Sequence, residues 1–173
     1  MSKNSKKNVL MVLAHYNFRD EEYSAARQKL EAASAQVTVA STVKTGAAGS
    51  QGMRVDPDVL IDEVDPEAYD AVVFIGGTGA SQYWHDVKAH EIARAAMRDG
   101  KVVAASSHAP VTLAVAGLLQ KKRVTGHVAI YEKLTVHGAE YTGRKLEVDG
   151  NLITSSGANA AKEFAEALGK AVS

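Results

Sequence analysis

Four short apolar runs, residues 9–14, 37–40, 71–75 and 102–105, punctuate the first two thirds of the chain without polar alternation. Each is too short for a buried helix and is bounded by turn or capping residues. Unalternating runs of this kind suit strands buried on both faces of a sheet. Helical patterns separate them. Residues 19–34 place Tyr23, Ala26, Leu30 and Ala33 on one face, and residues 86–98 start at a capping Asp86 and stop at Gly100. Strand and helix in alternation predict a parallel sheet.

The rest of the chain extends that pattern. Pro110 opens a third helix that Gly117 closes, and residues 158–172 carry Ala161, Phe164, Leu168 and Val172 on one stripe. Between these helices, residues 123–125, 145–148 and 152–154 read as short strands, with Asp149-Gly150-Asn151 a tight turn. The expected fold is α/β: a three-layer sandwich with a mostly parallel, flavodoxin-like central sheet, helices on both faces and a small antiparallel flap or edge. One domain over residues 1–173 is expected, with residues 1–7 a polar, basic tail. The glycine-rich stretch 45–52 reads as a loop inside that domain.

Composition narrows the partners. Twenty basic residues balance twenty acidic ones, so no overall field draws the protein to nucleic acid or an anionic membrane, and a small molecule or peptide is expected instead. No cysteine occurs, which excludes disulfides and thiol chemistry within this chain and fits a cytoplasmic setting. The run 9–14 is too short for a signal-peptide core or a membrane span.

In an open parallel sheet, ligands bind beyond the carboxyl ends of the strands. That rule selects Glu22 in the first turn of the first helix, Gly76 and Gly77 after the strand ending at Ile75, Ser106-Ser107-His108 after Ala105, and His127. The segment Ala104-Ala105-Ser106-Ser107-His108-Ala109-Pro110 passes from a buried strand to a Pro-started helix within about two residues, the geometry of a nucleophile elbow. A side chain there projects at a helix N-terminus, where amide dipoles favour developing negative charge. The backbone N–H groups of Gly77 and His108 are candidate oxyanion donors.

These segments resemble the DJ-1/PfpI superfamily, which has a class I glutamine-amidotransferase-like fold. The residues Ala105-Ser106-Ser107-His108-Ala109-Pro110 are similar to the family's Ala-Ile-Cys-His-Gly-Pro, with Ser107 where the reactive cysteine would stand. Phe18-Arg19-Asp20-Glu21-Glu22 resembles Phe-x-Asp-x-Glu, residues 69–77 resemble the family's Tyr-Asp…Gly-Gly, and residues 123–127 resemble the deglycase branch. Residues 148–155 resemble its closing strands. Ser81 stands where protease-like members carry an acid shortly after Gly-Gly, and Ser156 where an arginine is expected.

The resemblance implies a reactive centre at Ser107, Glu22 as the carboxyl bonded to the nucleophile, Gly77 and His108 as backbone donors, and His127 as the site histidine. It implies hydrolase-like or glyoxalase/deglycase-like action on small carbonyl or acyl compounds, limited by Ser107, or else a non-catalytic binding, chaperone or stress-response role; a homodimer is implied in either case. A serine hydroxyl needs a general base, for which His127, His108 and an ionised Glu22 are the candidates. His108 reads equally as a residue packed under the elbow, and Glu21 as a solvated residue at a helix start. His15, Glu22, His108 and His127 lack metal-ligand spacing, so no metal is expected. The turn Gly76-Gly77-Thr78-Gly79 lacks a P-loop lysine and a dinucleotide fingerprint, so no cofactor is expected. Tyr83 and Trp84 read as exposed aromatics at a pocket or an oligomer contact.

Overall fold

The computed structural model describes residues 5–173; the first four positions of the expected tail lie outside the described residues, and Ser5, Lys6 and Lys7 are exposed and precede the first strand. In chain order the elements are β1 (Asn8–Val12), β2 (Tyr16–Phe18), α1 (Asp20–Ala32), β3 (Gln36–Ser41), β4 (Ala47–Gly49), β5 (Arg54–Val55) and β6 (Val59–Leu60). There follow β7 (Ala71–Phe74), α2 (Val87–Arg98), β8 (Val102–Ser106), α3 (Pro110–Val115), β9 (Arg123–Val124) and α4 (Tyr131–Thr135). The chain closes with β10 (Glu140–Tyr141), β11 (Leu146–Asp149), β12 (Leu152–Ser155) and α5 (Ala161–Ala171).

Seven strands form the central sheet in the order β11-β12-β8-β7-β1-β3-β6. Every neighbouring pair is parallel except β11–β12. The expected antiparallel flap is thus a hairpin continuous with the main sheet, turned at Gly150 with φ +62°. The apolar runs are buried throughout: Leu10, Met11, Val73, Ala104 and Ala105 have no exposed surface. Helices α1 and α5 pack on one another, as do α2 and α3, so two helical layers enclose the sheet. The stripe expected on the last helix is buried at Phe164 and Leu168.

Two local expectations need correction. The glycine-rich stretch 45–52 is not simply a loop: β4 within it pairs with β2 and β5 in a separate three-stranded sheet. Buried Asp20 holds this sheet's turn by accepting from the N–H groups of Gln51 and Met53, at 3.2 and 3.0 Å. Tyr83 is not an exposed aromatic either. It is buried, and its hydroxyl donates to the Leu13 carbonyl at 2.7 Å, because a phenol inside a core must find an acceptor. Trp84 is half-buried and its indole N–H donates to the His108 carbonyl at 2.9 Å.

Candidate active site

The carboxyl ends of β1, β7, β8 and β12 converge on Ser107. Strand β8 ends at Ser106, and α3 begins at Pro110, whose fixed φ suits a first helical position. Ser107 lies between them with φ +45°, a left-handed conformation that a non-glycine residue keeps only when its surroundings enforce it. Two backbone bonds do so. The Ser107 N–H donates to the Ser155 carbonyl at 3.0 Å, and its carbonyl accepts from the His127 N–H at 2.8 Å.

Glu22 reaches the elbow because α1 starts beside it. The Arg19 N–H donates to the Gly76 carbonyl at 2.9 Å, which ties the entry of α1 to the turn after β7. As the third residue of α1, Glu22 is 1 % exposed. Burial pushes its carboxyl up to about 7, against the opposing pull of the Ser106 and Ser107 hydroxyls, which favour the charged form, and of the Arg19 charge. Its Oε1 has no hydrogen-bond partner among the described residues. A carboxyl that is half ionised at neutral pH can both take and return a proton.

The turn after β7 supplies two donors. Gly76 N–H reaches Ser106 Oγ at 2.9 Å and Gly77 N–H reaches Ser107 Oγ at 2.7 Å. This corrects one expectation: the Gly77 N–H holds the serine's own oxygen rather than standing open for a substrate oxygen. The His108 N–H, by contrast, has no partner among the described residues. Gly76 must be glycine here, since a Cβ would overlap Ser107 Oγ and the Ser106 carbonyl oxygen.

His108 and His127 stack with ring centroids 4.4 Å apart and planes 24° from parallel. Burial, and then the neighbouring His127, holds His108 below the usual imidazole range. His108 Nδ1 is buried without a partner among the described residues. The ring is therefore neither fully packed away nor paired with a base.

Arg19, Glu22, Gly77, Ser107, His108 and His127 line one cavity of about 380 Å³, together with Ser156, Gly157 and Asn159. All six sequence-selected site positions except Gly76 border it, and Gly76 lies directly beneath. His15 does not join them; its ring stacks on Tyr16 instead. Arg19 and Asn159 were not singled out by the sequence. Arg19 bonds Glu21 through Nε at 2.6 Å and through Nη2 at 3.3 Å, yet also borders the cavity as its one cation. A wider groove of about 740 Å³ between α1 and α5 contains no nucleophile or histidine. Among the described residues no cluster of His, Asp and Glu could hold a metal ion, and no helix is long and apolar enough to cross a membrane.

A parallel α/β sheet with a strained serine, a buried carboxyl and two histidines at one elbow defines the class of sheet proteins that carry a reactive residue on a strand-to-helix turn. The chain belongs to the DJ-1/PfpI family, whose model matches residues 7–171. It is 37% identical to an uncharacterized protein of Methanocaldococcus jannaschii over 173 residues, covering 98% of this chain and 83% of that one. It is 33% identical to the deglycase PfpI of Pyrococcus furiosus over 146 residues, 84% of this chain and 88% of the relative. The ThiJ/PfpI domain protein of Brachyspira murdochii superposes with a TM-score of 0.92 at 32% identity, covering 96% of this chain and 97% of that structure.

Proposed function

We propose that this protein acts on small carbonyl or acyl compounds at Ser107, which stands where family members carry a cysteine. The observation that carries the reading is the buried carboxyl of Glu22 on the cavity that Ser107 also lines, a carboxyl whose pKa of about 7 lets it exchange protons at neutral pH. Glu22 is the general base. As Oγ bonds to the carbonyl carbon, the carbonyl π pair moves onto oxygen and the hydroxyl proton passes to the Glu22 carboxylate. With an aldehyde, the proton returned to that oxygen gives a hemiacetal. With an acyl compound, collapse expels the leaving group, which takes the proton, and water then hydrolyses the acyl-serine. The His108 N–H offers a donor to the developing oxyanion.

A serine lacks the low pKa that turns a cysteine into a thiolate beside a helix start, so turnover is slow relative to that of a thiol. Relatives named deglycases support a small carbonyl substrate, and a second copy of this chain is the expected partner, checked by sedimentation. The second reading is a binding protein without chemistry. The Gly77 N–H bond to Ser107 Oγ favours it, since it draws on a lone pair that attack requires.

Turnover of methylglyoxal and of a chromogenic ester by this chain, Ser107→Ala and Ser107→Cys separates the two. Activity of the unsubstituted chain that Ser107→Ala abolishes supports the first reading. Activity only in Ser107→Cys means an intact cavity without a competent nucleophile, and silence in all three supports the binding role.

A further inference from the structure

His127 is a cavity residue that the sequence offers as a general base, and one hydrogen bond bears on that role. The backbone N–H of Ala129 donates to His127 Nδ1 at 3.0 Å. An amide N–H is only ever a donor, so Nδ1 must present its lone pair. In a neutral imidazole with an unprotonated Nδ1, the proton sits on Nε2. That N–H has no protein partner among the described residues, and the ring borders the cavity.

The local chain explains why this arrangement is fixed. His127 caps a short 3-10 turn, Val128–Ile130, in the manner of an Asn or Ser at a helix start, its side chain satisfying the otherwise orphaned Ala129 N–H. Its own backbone N–H is anchored on the Ser107 carbonyl at 2.8 Å, so ring and elbow move together. Protonating Nδ1 would break the cap and set a cation against the stacked ring of His108, 4.4 Å away. Glu22 and His108 are then the base candidates of the cavity left to receive a proton from Ser107.

We infer that His127 is locked as the neutral Nε2–H tautomer and serves as a hydrogen-bond donor to the oxygen of a bound carbonyl compound, not as the base that activates Ser107. Together with the His108 N–H it replaces the Gly77 donor that Ser107 occupies. The catalytic part of this inference rests on the reading of Ser107 and Glu22 given above; the tautomer does not.

Two isosteres split the two nitrogens of the ring. In His127→Asn the amide oxygen retains the cap acceptor at the Nδ1 position and the distal donor is lost. In His127→Gln the amide NH₂ reaches the Nε2 position and the cap is lost. Nitrogen-15 long-range correlation spectra of the histidine rings read the tautomer directly at neutral pH, with no substrate present. An unprotonated Nδ1 and a protonated Nε2 at His127 are expected; the reverse tautomer or an imidazolium overturns the inference whether or not the protein turns over any substrate.

Methylboronic acid, which forms a tetrahedral oxyanion on a serine, provides a second measurement, followed by boron-11 shifts. Loss of one oxyanion donor lowers rates by roughly 10²-fold in other enzymes. His127→Asn should weaken boronate binding, and any turnover, at least tenfold more than His127→Gln does. Equal losses in the two variants would mean that the cap, not the donor, matters. Failure of Ser107→Ala to alter turnover or boronate binding would instead defeat the Ser107 reading and leave the tautomer measurement standing.

Discussion

Gly77 and Ser107 are joined by a 2.7 Å hydrogen bond from the glycine N–H to the serine Oγ. The serine oxygen is thus held by a backbone donor in a cavity that Glu22 also lines. A bond of this kind stabilises an alkoxide more than a hydroxyl, because an N–H interacts more strongly with a charged acceptor. It lowers ground-state reactivity and at the same time favours the ionised state that forms during attack.

The Glu22 carboxyl makes stability depend on pH in a defined window. It titrates at its ordinary 4.5 when unfolded and at about 7 when folded. Below the unfolded value it is protonated in both states and folding is favoured most. As pH rises through the folded value the charge must be accommodated in a buried site, and stability falls. The gap corresponds to roughly 3 kcal/mol. Glu22→Gln cannot ionise, so urea unfolding should show its stability gaining on the parent by about that amount between pH 4.5 and about 8. A difference that stays flat with pH would mean that Glu22 ionises in its usual range. Arg19→Gln removes a charge that favours the carboxylate and should move the transition to higher pH.

Gly76→Ala tests how tightly the site is built. Its Cβ would meet the Ser106 carbonyl oxygen, which accepts from the Ala109 N–H at 2.9 Å where the chain enters α3. Overpacking of this kind costs roughly 1–3 kcal/mol. Thermal unfolding should register that loss, and turnover or boronate binding should fall as Ser107 Oγ is displaced. A variant of unchanged stability and activity would show that the turn can yield.

Phe164→Ala tests the outer layer. Phe164 is fully buried on α5, the helix that packs against α1 and so backs the first turn carrying Glu22. Truncating a buried phenylalanine costs roughly 3–5 kcal/mol. Chemical denaturation should show a loss in that range.

The sheet was legible because its strands are buried on both faces, which leaves uninterrupted apolar runs that no helix of that length would need. Glu22, Ser107, His108 and His127 were legible because the ends of parallel strands come together by topology alone. The small β2–β4–β5 sheet was not, since its middle strand is Ala47-Ala48-Gly49, and its pairing depends on Asp20, buried by tertiary contacts. Tyr83 misled for a related reason: its acceptor, the Leu13 carbonyl, lies 70 positions away in sequence. Arg19 carries little signal of its own, although it lies near the selected Glu22 and could have been found by asking what neighbours a buried carboxyl requires. The duty of Gly77 depends on a distance that only the folded chain reveals.

The elbow is fixed by its main chain: the N–H of residue 107 is spoken for by Ser155, and its carbonyl by His127. Neither bond involves a side chain at that position. The turn is therefore a socket whose shape is independent of what is plugged into it. Serine, cysteine or alanine can be exchanged there without re-drawing the backbone, so chemistry at this position can be lost, altered or restored by one codon while the fold around it stays the same.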